Sequence, residues 1–266
     1  MSQLVLKVKA GKLKSLTENP THYCAGCEHG TLTRLIASAM DELEIRERTV
    51  MIDSVGCSVL AYNYFNCDHI VAAHGRAPAV ATGLKRVRPD LMVFTVQGDG
   101  DAASIGLLEL IYAAKRSSPI TVFMVNNGIY GMTGGQMAPT TLEGQVTTTT
   151  PRGRDPALTG TELDTSKLIA GIDGAAYVKR ASLVVTELSS SRGKVYTIKN
   201  ILDAKKSVEN AFKVQAKGGF AFVEFLSTCS VNWKMSILDA KRHVNEKVIK
   251  KYPLGLFKDT FGVEKQ

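Results

Sequence analysis

The triplet Gly98-Asp99-Gly100 and the pair Asn126-Asn127, separated by residues 101–125, constrain the fold more than any other feature of the chain. The triplet closes an apolar run at 91–96, and the pair closes a second at 120–125. Runs of this length bounded by glycine and asparagine read as buried strands, and residues 102–114 between them carry helical periodicity. The segment therefore predicts a βαβ unit, whose right-handed crossover sets both strand ends on one edge of a parallel sheet. Asp99 and an asparagine side chain then meet in the crevice where open α/β sheets bind ligands. Both offer hard oxygen atoms to Mg²⁺, which completes its shell with phosphate and water. The glycines beside Asp99 let backbone approach a ligand closely, and the helix that follows presents free N–H groups to an anion. A metal diphosphate fits these features. An ordinary strand–turn–helix with a capping Asp accounts for the triplet alone, but not for the Asn pair at matching depth.

Five cysteines, at 24, 27, 57, 67 and 229, make an odd count. With no apolar leader at the start, they point to a reducing, cytoplasmic compartment. Cys24-Ala25-Gly26-Cys27 places two thiols so that they can hold one centre, which leaves zinc, a redox dithiol and an iron–sulfur cluster open. No apolar strand leads into the pair, as a thioredoxin-like dithiol would need. Cys57 follows a short strand predicted at 50–53, and Cys229 follows one predicted at 220–226. If these strands lie parallel in one sheet, both thiols face the edge that carries Asp99 and Asn127. Four cysteines there meet the requirement of a [4Fe–4S] cluster, and structural zinc has the same ligand count. Cys67 reads as a small apolar residue of the core.

Gly98-Asp99-Gly100 with an Asn pair at this distance resembles the thiamine diphosphate signature. The resemblance implies that Asp99, Asn127 and the main-chain carbonyl of Ile129 bind Mg²⁺, which holds the cofactor's diphosphate. The wider pattern runs through residues 23–30, Gly56-Cys57-Ser58, His74-Gly75-Arg76, the diphosphate motif and Cys229. It resembles the β subunit of 2-oxoacid:ferredoxin oxidoreductases, densely from about residue 20 to 160 and more loosely around Cys229. By that resemblance Cys24, Cys27, Cys57 and Cys229 hold one [4Fe–4S] cluster. Val55, Gly56, Cys57 and Ser58 contact the thiamine cofactor together with His74, and Gly100, Asp101, Gly131 and Met132 add further contacts. The implied activity is oxidative decarboxylation of a 2-oxoacid to acyl-CoA and CO₂, with electrons passing to ferredoxin. The thiazolium ring supplies the electron sink and the cluster the exit. The implied partners are an α subunit, with γ and ferredoxin-like δ subunits. An activating Glu is expected from a partner, so the chain alone is expected to be inactive.

His74 and Arg76 are the catalytic candidates, His74 because imidazole exchanges a proton near neutral pH. His29 is expected to cap a helix at 32–43 or to lie near the diphosphate, and Glu28 to be a helix N-terminal acid. His22, His69 and His243 belong to no constellation and read as structural. Leu60 stands where relatives acting on other 2-oxoacids carry a basic residue. With Tyr62, Tyr64 and Phe65 after it, Leu60 tilts the reading toward branched-chain or aromatic substrates, a preference of about 1–3 kcal/mol. The run 61–67 resembles the 2-oxoisovalerate type, and 2-oxoglutarate stays open. A non-oxidative thiamine decarboxylase and a non-catalytic redox scaffold are the rival readings.

The expected architecture is α/β, a doubly wound, mostly parallel sheet with helices on both faces. It forms a single domain over residues 1–266, with an N-terminal cluster-binding segment and a C-terminal extension from about 230. The chain is long enough to bury a large core. No run of 18 apolar residues argues for a membrane span, and no nucleic-acid-binding module is present. The net charge of +8 suits an acidic partner such as ferredoxin, or simply a lysine-rich surface. Residues 137–167, rich in Thr, Pro and Gly, read as a long loop that covers the cofactor or meets a partner. Helices are expected again near 201–214 and 235–248.

Overall fold

The computed structural model describes residues 12–190 and 193–265. Eleven strands are present among them: β1 (Thr49–Asp53), β2 (Asp68–Val71), β3 (Met92–Gly98), β4 (Thr121–Asn126), β5 (Ile129–Tyr130), β6 (Gln136–Met137), β7 (Ala175–Ser182), β8 (Thr186–Ser190), β9 (Gly193–Thr197), β10 (Phe220–Leu226) and β11 (Gly255–Asp259). Seven form the central sheet in the order β11-β7-β10-β4-β3-β1-β2, and β5-β6 and β8-β9 are small hairpins. Within the central sheet all pairs are parallel except β11 with β7.

The helices are α1 (His29–Glu42), α2 (Ala77–Val87), α3 (Leu107–Lys115), α4 (Pro156–Thr159), α5 (Thr165–Ala170), α6 (Lys199–Ala216), α7 (Ser230–Trp233), α8 (Ile237–His243) and α9 (Ile249–Lys251). Side chains alternate across each strand, and here that alternation builds two separate cores. Ala221, Val223 and Phe225 of β10 pack with Leu32 and Ile36 of α1 and with Val208 and Phe212 of α6. Phe220 and Phe222 point the other way, toward Ala81 of α2, Leu110 of α3 and Ile169 of α5. The sheet is thus covered on both faces, as near-continuous apolar parallel strands require. The fold is the doubly wound, mostly parallel α/β architecture expected from the sequence.

Register places the ends of β1, β3, β4 and β10 level. Asp53 at the end of β1 lies beside Val96, Gly98 beside Val125, and Leu226 beside Asn126. Residues 54–58, 99–101, 127–131 and 227–230 therefore leave the sheet along one rim.

Several elements differ from the sequence reading. The helix predicted at 102–114 is interrupted: Asp101–Ile105 forms a π-helical turn, and α3 starts after Gly106. A β-carbon at Gly106 would lie 2.6 Å from the Gly75 carbonyl, so the loop at 74–76 presses against the helix there and breaks its regular turn. α1 begins at His29 rather than at 32. The amphipathic stretch at 235–248 divides into α8 and a π-helical turn, Val244–Val248. After it the chain returns to the central sheet as β11. The long loop runs from the end of β6 through α4 to the start of α5, and it is organised by Arg154. This buried guanidinium donates to the carbonyls of Pro139 (2.8 Å), Thr141 (2.6 Å) and Thr161 (2.8 Å). Among the described residues no helix is long and apolar enough to cross a membrane.

Phe123 of β4 is fully buried, with ring centroids 6.1 Å from Phe94 and 5.5 Å from Phe212. Phe123→Ala is expected to cost about 3–5 kcal/mol, read as a lowered urea midpoint at unchanged slope. A loss below about 1 kcal/mol would show that this aromatic cluster does not anchor the sheet to α6.

Candidate functional site

The rim carries a cavity of about 240 Å³, lined by His29, Val55, Gly56, Cys57, His74, residues 98–101, Asn127 and residues 129–133. Asp99 leaves β3 into its floor and is 1% exposed. Burial pushes its carboxyl up to about 7, against the hydrogen bond donated by the Thr140 hydroxyl and those of the Gly100 and Gly128 amides. Thr140 belongs to the loop at 137–167, so that loop closes over the Asp99 side of the cavity.

The two asparagines divide their work. Asn126 is structural: its Oδ1 accepts from the Gly128 amide (3.1 Å), and its Nδ2 donates to Glu224 Oε1 (2.7 Å). Glu224 also takes Nε of the fully buried Arg180 at 2.8 Å. Asn127 faces the cavity, and its Oδ1 accepts from the Ile129 amide at 3.2 Å. Gly128 has a φ of +65° and its carbonyl accepts from Thr141 Oγ1 (2.6 Å), so a positive-φ turn aims Asn127 and Ile129 together. Tyr130 lies against Gly100, where a β-carbon would meet its ring at 2.4 Å, and its hydroxyl donates to the Gly100 carbonyl at 2.9 Å.

The cysteines assemble from three distant segments. Cys27 N–H donates to the Cys24 carbonyl at 3.0 Å, forming a tight turn with Gly26 at φ +77°. The segment after β10 docks on that turn: Thr228 Oγ1 donates to the Gly26 carbonyl at 2.9 Å. Cys57 and Cys229 meet at Gly131. A β-carbon there would lie 3.2 Å from Cys57 Sγ, 3.7 Å from Cys229 Sγ and 3.8 Å from Asn127 Nδ2. Asn232 donates both to the Gly131 carbonyl (2.9 Å) and to Cys229 Sγ (3.3 Å). Burial, then the neighbouring cysteines, pushes Cys57 up to about 11. Burial does the same to Cys27, up to about 12, opposed by its bond to His29. Among the described residues no three His, Cys, Asp or Glu side chains converge closely enough to hold a single metal ion.

His74 lines the cavity, one-third exposed; its Nδ1 is 3.0 Å from the Val55 carbonyl and 2.9 Å from Asp101 Oδ1. Asp101 is buried, which raises its pKa, and it also accepts from the Gly75 amide and Gln97 Nε2. It therefore fixes the His74-Gly75 loop against the cavity wall. Arg76 was grouped with His74 from the sequence, but it does not line the cavity; its guanidinium pairs with Glu109 on α3. Ser58 turns inward and donates to the Val96 carbonyl at 2.9 Å. Val55 and Met132 stand at the cavity wall, 37% and 49% exposed. Tyr64 and Phe65, counted toward a substrate pocket, are core residues: Tyr64 OH bonds to His22, and Phe65 packs edge-on against Phe94. Tyr62 is exposed.

His29 is buried in the cavity wall, with Nδ1 3.2 Å from Cys27 Sγ; burial pushes it down to about 4, so it is neutral. Glu28 sits at the N-terminus of α1 and is also buried, its pKa raised by desolvation, with Lys241 3.5 Å away. Sequence reasoning missed Thr140, Asn232 and Glu224. Glu224 carried a signal, a lone carboxylate inside the apolar strand Phe220–Leu226, which demands a buried partner. Thr140 carried none, because its loop has no periodicity.

These residues suit a magnesium diphosphate. Among the described residues no Lys or Arg lines the cavity, so a diphosphate there would be neutralised by a metal and by backbone N–H groups. Asp99, Asn127 Oδ1 and the Ile129 carbonyl are the oxygen donors at hand.

A parallel sheet with such a rim defines a thiamine diphosphate-binding domain, and the family described as thiamine pyrophosphate enzyme, C-terminal TPP binding domain, matches residues 54–225. Ketoisovalerate oxidoreductase subunit VorA of Methanothermobacter thermautotrophicus is 48% identical over 240 residues, covering 90% of this chain and 48% of that protein. The 2-oxoglutarate synthase subunit KorB of Archaeoglobus fulgidus is 34% identical over 227 residues, covering 85% of this chain and 76% of that protein. A solved 2-oxoglutarate:ferredoxin oxidoreductase from Magnetococcus marinus, with 2-oxoglutarate, coenzyme A and succinyl-CoA bound, superposes with a TM-score of 0.72 at 27% identity, over 96% of this chain and 87% of that one. The chain belongs to the thiamine diphosphate-binding subunit family of 2-oxoacid:ferredoxin oxidoreductases, alongside the VorA and KorB subunits. It spans about half the length of the VorA relatives.

The elevated pKa of Asp99 has a measurable sign. In metal-free chain the unfolded state ionises near 3.8 and the folded state only near 7, so this residue makes stability fall as pH rises through that window. Thermal unfolding in EDTA between pH 4 and 8 should therefore show a shallower decline for Asp99→Asn than for wild type. Parallel curves would place the Asp99 carboxyl in contact with water.

Proposed function

We propose that this chain is the cofactor-binding part of a CoA-acylating 2-oxoacid:ferredoxin oxidoreductase, holding thiamine diphosphate, Mg²⁺ and one [4Fe–4S] cluster. The observation that carries the proposal is Gly131, where a β-carbon would come within 4 Å of both Asn127 Nδ2 and the sulfurs of Cys57 and Cys229. Asp99, Asn127 and the Ile129 carbonyl would hold the metal and its diphosphate. Cys24, Cys27, Cys57 and Cys229 would hold the cluster, deprotonating as metal replaces their protons. A tetrahedral zinc site draws its sulfurs within about 4 Å of one another, given a Zn–S bond near 2.3 Å. Structural zinc has the same ligand count, and metal analysis of the purified protein separates the two. When bound, the cofactors would supply an electron sink for decarboxylation and a one-electron exit.

The chain's own residues orient and insulate. Tyr130 and Gly100 form a wall of the cavity that would hold the diphosphate, and Thr140 caps Asp99 from the loop side. His74, held by Asp101 and the Val55 carbonyl, would hold or move a proton at the exposed end of the cavity. Arg76 would act only by fixing the loop through Glu109. No Glu lines the cavity among the described residues, so an activating carboxylate would come from an α subunit or a further domain. The substrates would be CoA and a 2-oxoacid, branched-chain or aromatic preferred. Half-buried Leu60 and the greater identity to VorA than to KorB support that preference, with Tyr64 and Phe65 withdrawn from it. The assembly would include γ and ferredoxin-like δ subunits and pass electrons to ferredoxin in the cytoplasm, where the free thiols stay reduced.

Asp99→Ala is expected to abolish retention of thiamine diphosphate during anaerobic purification while iron content stays within about twofold of wild type, because the metal ligands are separate. Normal thiamine content would remove Asp99 from the metal site. Cys229→Ala is expected to lose the cluster's visible absorbance and most of its iron. Unchanged iron would exclude Cys229 as a ligand and favour the non-oxidative decarboxylase.

A further inference from the structure

A groove of about 400 Å³, larger than the cofactor cavity, runs between α2 and α3. Its floor is made of small residues: Ala79 and Gly83, one turn apart on α2, and buried Ala113 on α3. A β-carbon at Gly83 would meet nothing within 4 Å, so the trough is open above it. Leu108 and Tyr112, one turn apart on α3, stand along its edge, 65% and 46% exposed. Arg86 and Arg116 also line the groove, and among the described residues neither has a carboxylate partner. Arg116 lies over the Tyr112 ring, 5.1 Å from its centroid, with the Lys115 ammonium at 5.8 Å. The groove's own carboxylate, Glu109, is taken by Arg76, and nearby Asp90 is taken by Arg88. Uncompensated positive charge thus lies beside exposed apolar surface. The Glu109 end of the groove abuts the cofactor rim. Arg76 Nη1 donates to the Ile105 carbonyl at 3.4 Å, and Gly75 packs on Gly106, so α3 starts against the loop that carries His74.

We propose that this groove seats an amphipathic helix of the α subunit, bearing an apolar stripe and two carboxylates that meet Arg86 and Arg116. The inference rests on the oxidoreductase reading above and says where that partner meets the chain. Three features select this occupant. A trough of Ala and Gly beside a Leu–Tyr ridge accepts the ridge of another helix, as helix surfaces interlock. Guanidinium forks bind carboxylates in bidentate pairs, and two of them unpaired in one groove call for acidic side chains. The groove ends beside the His74 loop, so a chain docked there is placed to deliver the glutamate that the cofactor cavity lacks among the described residues. Docking would cover Leu108 and Tyr112, which supply the apolar contact, while the charges supply orientation and encounter rate.

The test is the affinity of the full chain for the co-expressed α subunit, measured by anaerobic sedimentation. Arg86→Glu and Arg116→Glu are each expected to weaken the pair by about tenfold or more. Gly83→Leu, which fills the trough where a side chain meets no neighbour, is expected to weaken it as strongly. All three positions are exposed, and an unchanged urea midpoint shows each variant folded. Arginine variants that bind as tightly as wild type overturn the charge recognition; a Gly83→Leu chain that does so overturns the seated helix. Carbodiimide coupling gives an answer that needs no variant: exposed Lys115 should join an Asp or Glu in a helix of the α subunit, and coupling only elsewhere overturns the site. If wild-type chain and α subunit do not associate at all, the oxidoreductase reading falls and the groove with it. If they associate, hold iron and turn over a 2-oxoacid with CoA while the variants behave as wild type, the groove assignment alone falls.

Discussion

Asp99 sits out of water at the end of β3, and a buried carboxylate without a cation protonates rather than ionises. The features around it answer to that constraint. The Thr140 hydroxyl and the amides of Gly100 and Gly128 partly stabilise its charge, and the Asn127 and Ile129 oxygens complete a site in which a divalent cation would finish the job. The cost of burying the group suits the rim to the metal-bound anion proposed for it, since among the described residues no Lys or Arg lines the cavity.

The rim is held in shape from behind by a second buried polar set. Arg180 and Glu224, both fully buried, connect β7 to β10, and Glu224 passes the constraint to β4 through Asn126. Asp164 and Ser166 close the set from the start of α5. Removing one partner from such a pair leaves an uncompensated buried charge, so each member of the network requires the others. The Asn turn is thus fixed by residues that never touch the cavity.

The parts legible in the sequence were those with one dominant physical signal. β3, β4 and β10 are near-continuous apolar runs because both faces of a parallel sheet are covered, and the turn residues after them carry the proposed ligands. β7 escaped notice because Lys179 and Arg180 break its apolar run. Both are buried but paired, Lys179 with Asp203 and Glu264, and Arg180 with Glu224 and Asp164. β2 was hidden because it is an edge strand with most of its residues exposed, and β11 because Lys258 and Asp259 make it read as surface. The order in the loop at 137–167 comes from one arginine bonding to carbonyls, a pattern with no period. Cys229 was placed on the rim by its position after a strand. Its approach to Cys24 and Cys27 depends on the Thr228 hydroxyl meeting the Gly26 carbonyl, which no local pattern reveals.

The central claim is that oxygen ligands from β3 and β4 and sulfur ligands from three segments meet across Gly131. Anomalous diffraction at the iron edge, from anaerobic crystals of the loaded enzyme, tests it most directly. The account predicts a single compact iron peak bounded by Cys24, Cys27, Cys57 and Cys229, adjacent to Gly131 and on the same rim as Asp99. Iron located elsewhere, or a zinc-edge signal between those four sulfurs with no iron, would contradict it.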